Sequence, residues 1–461
     1  DALINNKNFI AKKINVKKEN NDFLINGDFN FDKLILNNEE LNTFFKLQLD
    51  NFLIENVQLS AKNNFSFKLN KKYKIKNFEI FSDMKIDKMF INSINLKKFK
   101  EVFPQIKKDL NFIDHQVKIE YSKKQLLING NGKVLFQDEN DKINYSISKK
   151  KNILAFNTLF EIDKNPIVFE ILNFDKDNNS KLTIELKGEH ELNNLTKISS
   201  LNIKEKENIF NIQKLTFDKK FKIEELKNLS FNYIDRENQL NSIKLFYKDD
   251  IYFLKGQNFN ANHLIENLLN NKNEDGSIFV KKKFKIDVEI DAVYLDKVHR
   301  LSKLKGNLDF DNKELKNSNL SARFSENEKL KFSVNSNKDE KITILTLDKA
   351  EPIIKRYKFI KGFEEGVLDF YSSKKENISK STLKIYDFKL KELPVLTRIL
   401  TLASLQGIAD ILSGEGIRFD EFEMNFQTKN NLITIDEIYS IGPAISILMD
   451  GYVEKNKLVS L

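Results

Sequence analysis

The sequence predicts a mainly β protein: an elongated, curved antiparallel sheet that forms a long groove, with a few short helices. Three observations predict it. Apolar and charged residues alternate with period two in short runs along the whole chain. The runs are separated by Asn, Asp, Lys and some of the 14 glycines, the residues that tolerate turn geometry. Stretches with helical spacing are few and short.

Taken in order, Asn26-Gly27 reads as a hairpin turn, and so do Asn129-Gly130 and Asp275-Gly276. Leu96, Phe99, Phe103, Ile106 and Leu110 keep a three-and-four spacing around Pro104 and predict a short helix near 96–110. Gly130-Asn131-Gly132 starts like a dinucleotide fingerprint, but Leu135 stands at the third glycine position and strands flank it, so it reads as a turn. Asp175-Lys176-Asp177-Asn178-Asn179 begins like a calcium loop, yet Ser180 and Leu186 occupy the positions that need Gly and Glu, which leaves a polar hairpin tip. Leu182, Ile184 and Leu186 form one alternating set, and Leu264, Ile265, Leu268 and Leu269 predict a second helix.

The clearest alternation runs from Lys283 to Asp291, where Phe284, Ile286, Val288 and Ile290 fall on one strand face and charged residues on the other. Leu330, Phe332 and Val334 repeat it, as do Ile342 and Ile344. Asp348 to Tyr357 predicts a third helix. The stretch from Pro394 to Leu412 predicts a fourth that is apolar, because Arg398 is the single ionisable residue between Pro394 and Ala409 in a chain that is 31% charged. Pro394 suits a first helical turn, and Gly414 and Gly416 suit its exit. Leu396, Ile399, Leu400, Leu402 and Ala403 form its apolar side, read either as core packed on the sheet or as a helix at a groove mouth or membrane surface. A soft boundary near 275 divides residues 1–275, the N-terminal part of the extended sheet, from 276–461, where the backbone is richer in glycine and the chain stops inside a strand.

Composition excludes several classes. The chain has no Cys, so disulfide, thiolate and Cys-metal chemistry are out, and its four His residues are scattered without paired spacing. No catalytic residue, metal or cofactor is implied. The net charge of +9 is spread by interleaved Lys and Glu, with no basic run carrying stacking aromatics, so nucleic acid is not an expected partner. No uncharged run is long enough to span a bilayer as a helix. Without Trp to stack on sugar rings, a polysaccharide-binding or hydrolytic β protein is disfavoured.

One set of residues carries a family resemblance. Leu393-Pro394-Val395-Leu396, Leu402 to Gly407, Leu412 to Ile417, Gly442-Pro443-Ala444 and Gly451 together resemble the C-terminal region of AsmA-like proteins, nearest to the long YhdP-type members. Leu347-Asp348-Lys349-Ala350, Tyr357, Gly362, Gly366 and Leu368 are similar to the segment that precedes that signature. The resemblance is specific over roughly 280–455 and architectural before that. It implies a bridge-like lipid transfer protein of the bacterial periplasm, tethered to the inner membrane by a segment outside this chain. Phospholipid would be its cargo, the inner and outer membranes its destinations, and envelope proteins its possible partners.

Under that implication the working residues are the groove-lining alternates Phe284, Ile286, Val288, Ile290, Leu330, Phe332, Val334, Ile342 and Ile344, and an inward charge such as Val288→Asp should block passage. The alternative is an envelope scaffold or outer-membrane assembly factor whose β core is closed and filled by its own side chains. Period two fits both.

Overall fold

The computed structural model describes every residue except 1, 5–6, 41–51, 94–98, 192–193, 221, 270–282, 313, 356–361, 393–412, 415, 430–431, 455–457 and 461. Strands account for 74% of it and helices for 4%, in curved open sheet that does not close into a barrel, so the fold class is as the alternation predicts.

The chain divides into two compact units between Asn238 and Gln239. This lies upstream of the predicted boundary near 275, which falls outside the described residues. The reason is register: Leu240–Lys248 pairs with Ile251–Asn260, which pairs in turn with Lys283–Tyr294, so residues from 239 onward belong to the second unit.

In the first unit each strand pairs with its sequence neighbours from Ala2–Ile4 to Ile223–Ile234, all antiparallel. The meander is interrupted once. Val168–Phe169 and Phe174–Asp175 form their own small ribbon, and Ile153–Ile162 pairs past them with Leu182–Glu191. The second unit runs from Leu240–Lys248 to Leu458–Ser460. One of its pairings, between Ile251–Asn260 and Lys283–Tyr294, is parallel. Parallel neighbours need a crossover, and this one contains helix α1 (Asn262–Leu269), the predicted second helix. Helix α2 (Glu351–Ile354) stands where the third was predicted, with Pro352 in its first turn.

Two of the three predicted glycine turns lie within strands, and the third, Asp275-Gly276, lies outside the described residues. Asn26-Gly27 lies inside Asp22–Asn37 and Asn129-Gly130 inside Gln125–Leu135, so neither is a hairpin turn, and Gly130-Asn131-Gly132 is mid-strand. The hairpins reverse instead at residues with positive φ such as Asn20, the pair Lys123-Lys124 and the pair Asp249-Asp250, the geometry that matches the twist of the flanking strands. Gly130 and Gly132 serve by lacking a side chain. A Cβ on Gly130 would meet the Tyr145 ring at 2.3 Å, and one on Gly132 would meet the His115 ring at 2.3 Å.

Positive φ also recurs within strands, at Lys33, Asp114, Lys303 and Asp387. At the first three the ladder slips register, and at Asp387 the pairing skips a residue. Such bulges bend a strand and increase its twist, which supplies the curvature of an otherwise continuous meander.

The predicted helix near 96–110 does not form as one element. Leu96 lies outside the described residues, 99–106 make successive turns, and Leu110 already belongs to the strand Asp109–Ser122. Pro104 has no N–H to continue a helical ladder, and the Lys107 N–H donates across to Phe136 O at 2.8 Å. The 175–179 segment is not the predicted hairpin tip, because Phe174–Asp175 pairs with Val168–Phe169 and Leu182–Glu191 with Ile153–Ile162. It is a tethered connection in which the Asp177 N–H donates to the buried Glu205 carboxylate at 2.8 Å and the Ser180 hydroxyl donates to the same carboxylate.

Candidate functional site

Residues directly opposite each other on neighbouring strands share a face, so the pairing register traces each face across the sheet. In the second unit one row passes through Leu245, Leu254, Val288, Gly306, Leu320, Phe332, Leu345, Phe370, Leu383, Met424, Ile438 and Met449 without a polar side chain. At about 4.8 Å per strand this row runs on the order of 50 Å. A second row, within the first unit, passes through Phe31, Ala61, Met84, Val117, Gly130, Tyr145, Thr158, Leu186, Leu201, Ile212 and Leu229.

The rows are only partly covered. In the second unit Val288 and Ile438 are buried, whereas Leu320, Phe332, Leu345, Phe370, Leu383 and Met424 are half-buried. Toward one end of the strands the same face is closed. Leu347, Ala350, Ile354, Phe363, Leu368, Ile385, Phe388, Ile417 and Phe419 pack into one cluster beneath α2, and α1 presents Ile265 to a second cluster containing Val288, Ile290 and Val293.

The opposite face is charged. The row next to Val288 and Phe332 contains Lys255, Glu289, Lys305, Lys331, Lys384 and Glu423. Glu289 is held between Lys305 at 2.8 Å and Lys255 at 3.1 Å, and Lys384 meets Glu423 at 2.8 Å. Hydrogen bonds from Lys305 and then Lys255 hold the Glu289 carboxyl below its ordinary range. In the first unit two shallow hollows, of about 360 and 500 Å³, have Gln116, Lys118 and Lys62 among their polar linings.

Of the predicted lining residues, Phe284, Ile286, Val288, Ile290, Leu330, Phe332 and Val334 do share one face. Ile342 and Ile344 do not. They stand opposite Asn335 and Ser333, on the charged face, where Ile344 is 39% exposed. The run Lys341–Leu347 is apolar in both phases, and the register selects Leu345 and Leu347, the latter fully buried. Sequence reasoning also missed Leu345, Phe370, Leu383, Met424 and Ile438; the runs of Leu345 and Phe370 carry apolar residues on both faces, whereas Phe422, Met424 and Phe426 do alternate with polar residues and could have been read. The predicted apolar-helix residues Leu396, Ile399, Leu400, Leu402 and Ala403 lie outside the described residues.

Val288 is a poor place for a test charge, because it belongs to the packed cluster under α1, where a carboxylate would disrupt folding. Phe332, half-buried in the row and outside the packed clusters, is the informative position, with Leu383, half-buried at the edge of one, as the second.

The signature residues distant in sequence converge. Leu347, Ala350, Leu368 and Ile417 are members of the packed cluster and Ala444 rests against it. Gly366 carries positive φ against Phe388 and Phe363, and Gly416 and Gly442 lie so close to the Leu390 and Arg418 carbonyls that a Cβ would collide with them.

The histidines hold structural positions. His115 is fully buried, with Nε2 2.9 Å from Lys133 O and Nδ1 3.3 Å from the Tyr145 hydroxyl. Burial pushes its pKa down and pushes the Tyr145 phenol up to about 12. His299 Nδ1 lies 2.8 Å from Asp296, and His190 Nδ1 lies 2.9 Å from the Thr196 hydroxyl. Among the described residues no group of three His, Asp or Glu side chains is arranged to hold a metal ion, and no helix is long and apolar enough to cross a membrane. No protein-family model, curated protein or solved structure matches the chain.

Proposed function

We propose that this chain transfers phospholipid without catalysing a reaction, letting acyl chains slide along the apolar rows while head groups stay wet. The observation that carries the reading is the second unit's row, unbroken by any polar side chain yet left half-buried by the polypeptide. Moving a lipid chain through water costs about 0.8 kcal/mol per methylene, so two 16-carbon chains face a barrier on the order of 25 kcal/mol. Contact with a continuous apolar surface lowers that barrier in proportion to the area kept from water. The AsmA-like resemblance supplies the setting: the bacterial envelope, with the inner and outer membranes as donor and acceptor.

The test is transfer of a fluorescent phospholipid between donor and acceptor vesicles by Phe332→Asp and Leu383→Asp, with Ser333→Asp on the charged face as control. Loss of transfer in the first two, with folding retained by circular dichroism and transfer kept in the control, is expected. Folded Phe332→Asp and Leu383→Asp proteins that transfer lipid at the original rate would overturn the reading.

The packed cluster around Phe388 favours a second reading, an envelope scaffold or assembly factor with a self-filled core. Native mass spectrometry separates the two: co-purifying diacyl lipid belongs to transfer, and its absence from gently isolated protein belongs to the scaffold.

A further inference from the structure

Beside the apolar row, on the same face and away from the packed cluster, the side chains turn polar in two steps. The next row holds Ser318, Val334, Thr343, Ser372 and Ser381, with the Ser381 hydroxyl donating to Ser372 at 2.9 Å. The row beyond it holds Ser336, Lys341, Lys374, Ser379 and Thr428. Its centre is unusual because Lys341 and Lys374 stand directly opposite each other, a like-charge pairing that destabilises a sheet.

Neither lysine has an ion-pair partner among the described residues. Glu314, whose charge acts on Lys341, is taken by Lys316 at 2.8 Å. Lys341 is half-buried, and burial together with the neighbouring Lys374 and Lys316 charges pushes its pKa down, against the pull of Glu314. Independently, two hydroxyls of this strip are buried without any hydrogen-bond partner: Ser318, whose residue is 5% exposed, and Ser336, which lies opposite Lys341. Buried polar atoms ordinarily have partners, so the Ser336 hydroxyl, in the same row as the two lysines, points to a group that arrives from outside.

A tetrahedral oxyanion over Ser336, Lys341 and Lys374, which stand side by side on consecutive strands, would satisfy these three at once, accepting charge-assisted hydrogen bonds from the two ammonium groups and an ordinary one from the hydroxyl. Since the strip borders Phe332 and Leu345, the same molecule can lay an apolar chain along the adjacent row. We propose that Lys341 and Lys374, with Ser336, form a subsite for the phosphate of an anionic phospholipid whose acyl chains occupy the Leu320–Phe332–Leu345–Phe370 row. This rests on the lipid-transfer reading and adds a head-group preference to it.

Titration calorimetry of the whole chain tests it with three probes: dioctanoyl phosphatidylglycerol below its micelle concentration, dioctanoylglycerol, and inorganic phosphate. The variants are Lys341→Gln with Lys374→Gln, and Lys331→Gln with Lys380→Gln on the charged face as a charge-matched control. The inner pair should weaken phosphatidylglycerol binding about tenfold, the scale of losing charge-assisted hydrogen bonds. It should leave dioctanoylglycerol unchanged, the control pair should change neither, and inorganic phosphate should bind far more weakly than the phospholipid.

Equal binding of phosphatidylglycerol and dioctanoylglycerol, or an inner pair that binds phosphatidylglycerol like the original chain, would overturn the subsite while leaving the row as a lipid surface. Inorganic phosphate binding as tightly as the phospholipid would also overturn it, leaving a free-anion site. Failure of the original chain to bind either diacyl probe would remove the lipid-transfer reading itself, and the subsite with it.

Discussion

Two regions of the second unit are built from one alternation and put to different use. At the packed end, Phe388 stacks between Phe363 and Phe419 with ring centroids 5.3 and 5.1 Å away, α2 inserts Pro352 and Ile354, and the Ala350 N–H donates to Gly366 O at 2.7 Å. Along the neighbouring row, Phe332 and Leu383 are the same kinds of residue on the same face but stay half-buried, Leu383 at the edge of the packed cluster and Phe332 outside it. The difference teaches that stability and apolar exposure are separated along the strands: one end holds the sheet together, and the rest of the face is free for something else.

The sharpest way to break that comparison is to truncate one ring in each region. Phe388→Ala removes a fully packed side chain and should lower unfolding stability by about 4 kcal/mol. Phe332→Ala, which loses only half of its burial, should lower it by about 1 kcal/mol. Urea denaturation of the two variants measures both. Equal losses would mean that the row is as tightly packed as the cluster, and the contrast would vanish.

The first unit closes one end of its strands by different means, with turns and polar anchors instead of a helix. Val102, Phe103 and Ile106 from the 99–106 turns pack on Phe136, Ile162, Ile167 and Leu182, and the Val168 N–H donates to Val102 O at 3.0 Å. Beneath them Asn165 Nδ2 donates to the buried Asp141 carboxyl at 2.5 Å and to Glu139 O at 2.7 Å, while the buried Lys176 ammonium donates to Asp163 O at 2.5 Å.

Burial pushes Asp141 up to about 6, against the hydrogen bonds from Asn165 and the Asp163 N–H that favour its charge. A carboxyl whose folded pKa exceeds its unfolded one contributes stability below the unfolded value, near 4, and that contribution is lost as pH rises through about 6. Asp141→Asn should therefore gain on the original chain between pH 4.5 and pH 8, by on the order of 1–2 kcal/mol after solvent screening. Urea midpoints of both proteins at the two pH values decide it. A constant difference between them would show that the polar anchors do not sense the charge, and that this end is held by its apolar packing as the second unit's is.

The contrast between regions was only half legible in the sequence. Alternation announced the strands, and in Lys283–Tyr294 it announced the correct face. It failed where a strand is apolar in both phases: Ile342 and Ile344 compete with Leu345 and Leu347, and only the pairing of Phe332 with Leu345 resolves the choice. Glycine misled for a physical reason. Asn-Gly pairs signal turns because glycine tolerates positive φ, but here Lys123-Lys124 and Asp249-Asp250 accept that conformation themselves. The glycines at 130 and 132 instead make room for the rings of Tyr145 and His115. Closure of the strand ends was invisible because it depends on which distant residues meet. Leu347, Phe363, Phe388 and Ile417 are unremarkable singly, and no periodicity distinguishes them from the open row.

The smallest expected effect concerns the charged face, and it sharpens the comparison from the other side. If the sheet is stabilised at its packed ends, the ion pairs facing solvent should be nearly dispensable. Glu289 is the strictest case, since it bridges two lysines from two neighbouring strands at 2.8 and 3.1 Å and directly opposes both in the register. Its carboxylate remains in water, where attraction is screened and ordering two long lysine side chains offsets what is gained. Glu289→Gln should leave the thermal midpoint within experimental error of the original chain at 150 mM salt, with a small drop emerging only at low ionic strength. A large loss at physiological salt would place a real share of the stability on the charged face, and the packed end could no longer be regarded as the anchor of the sheet.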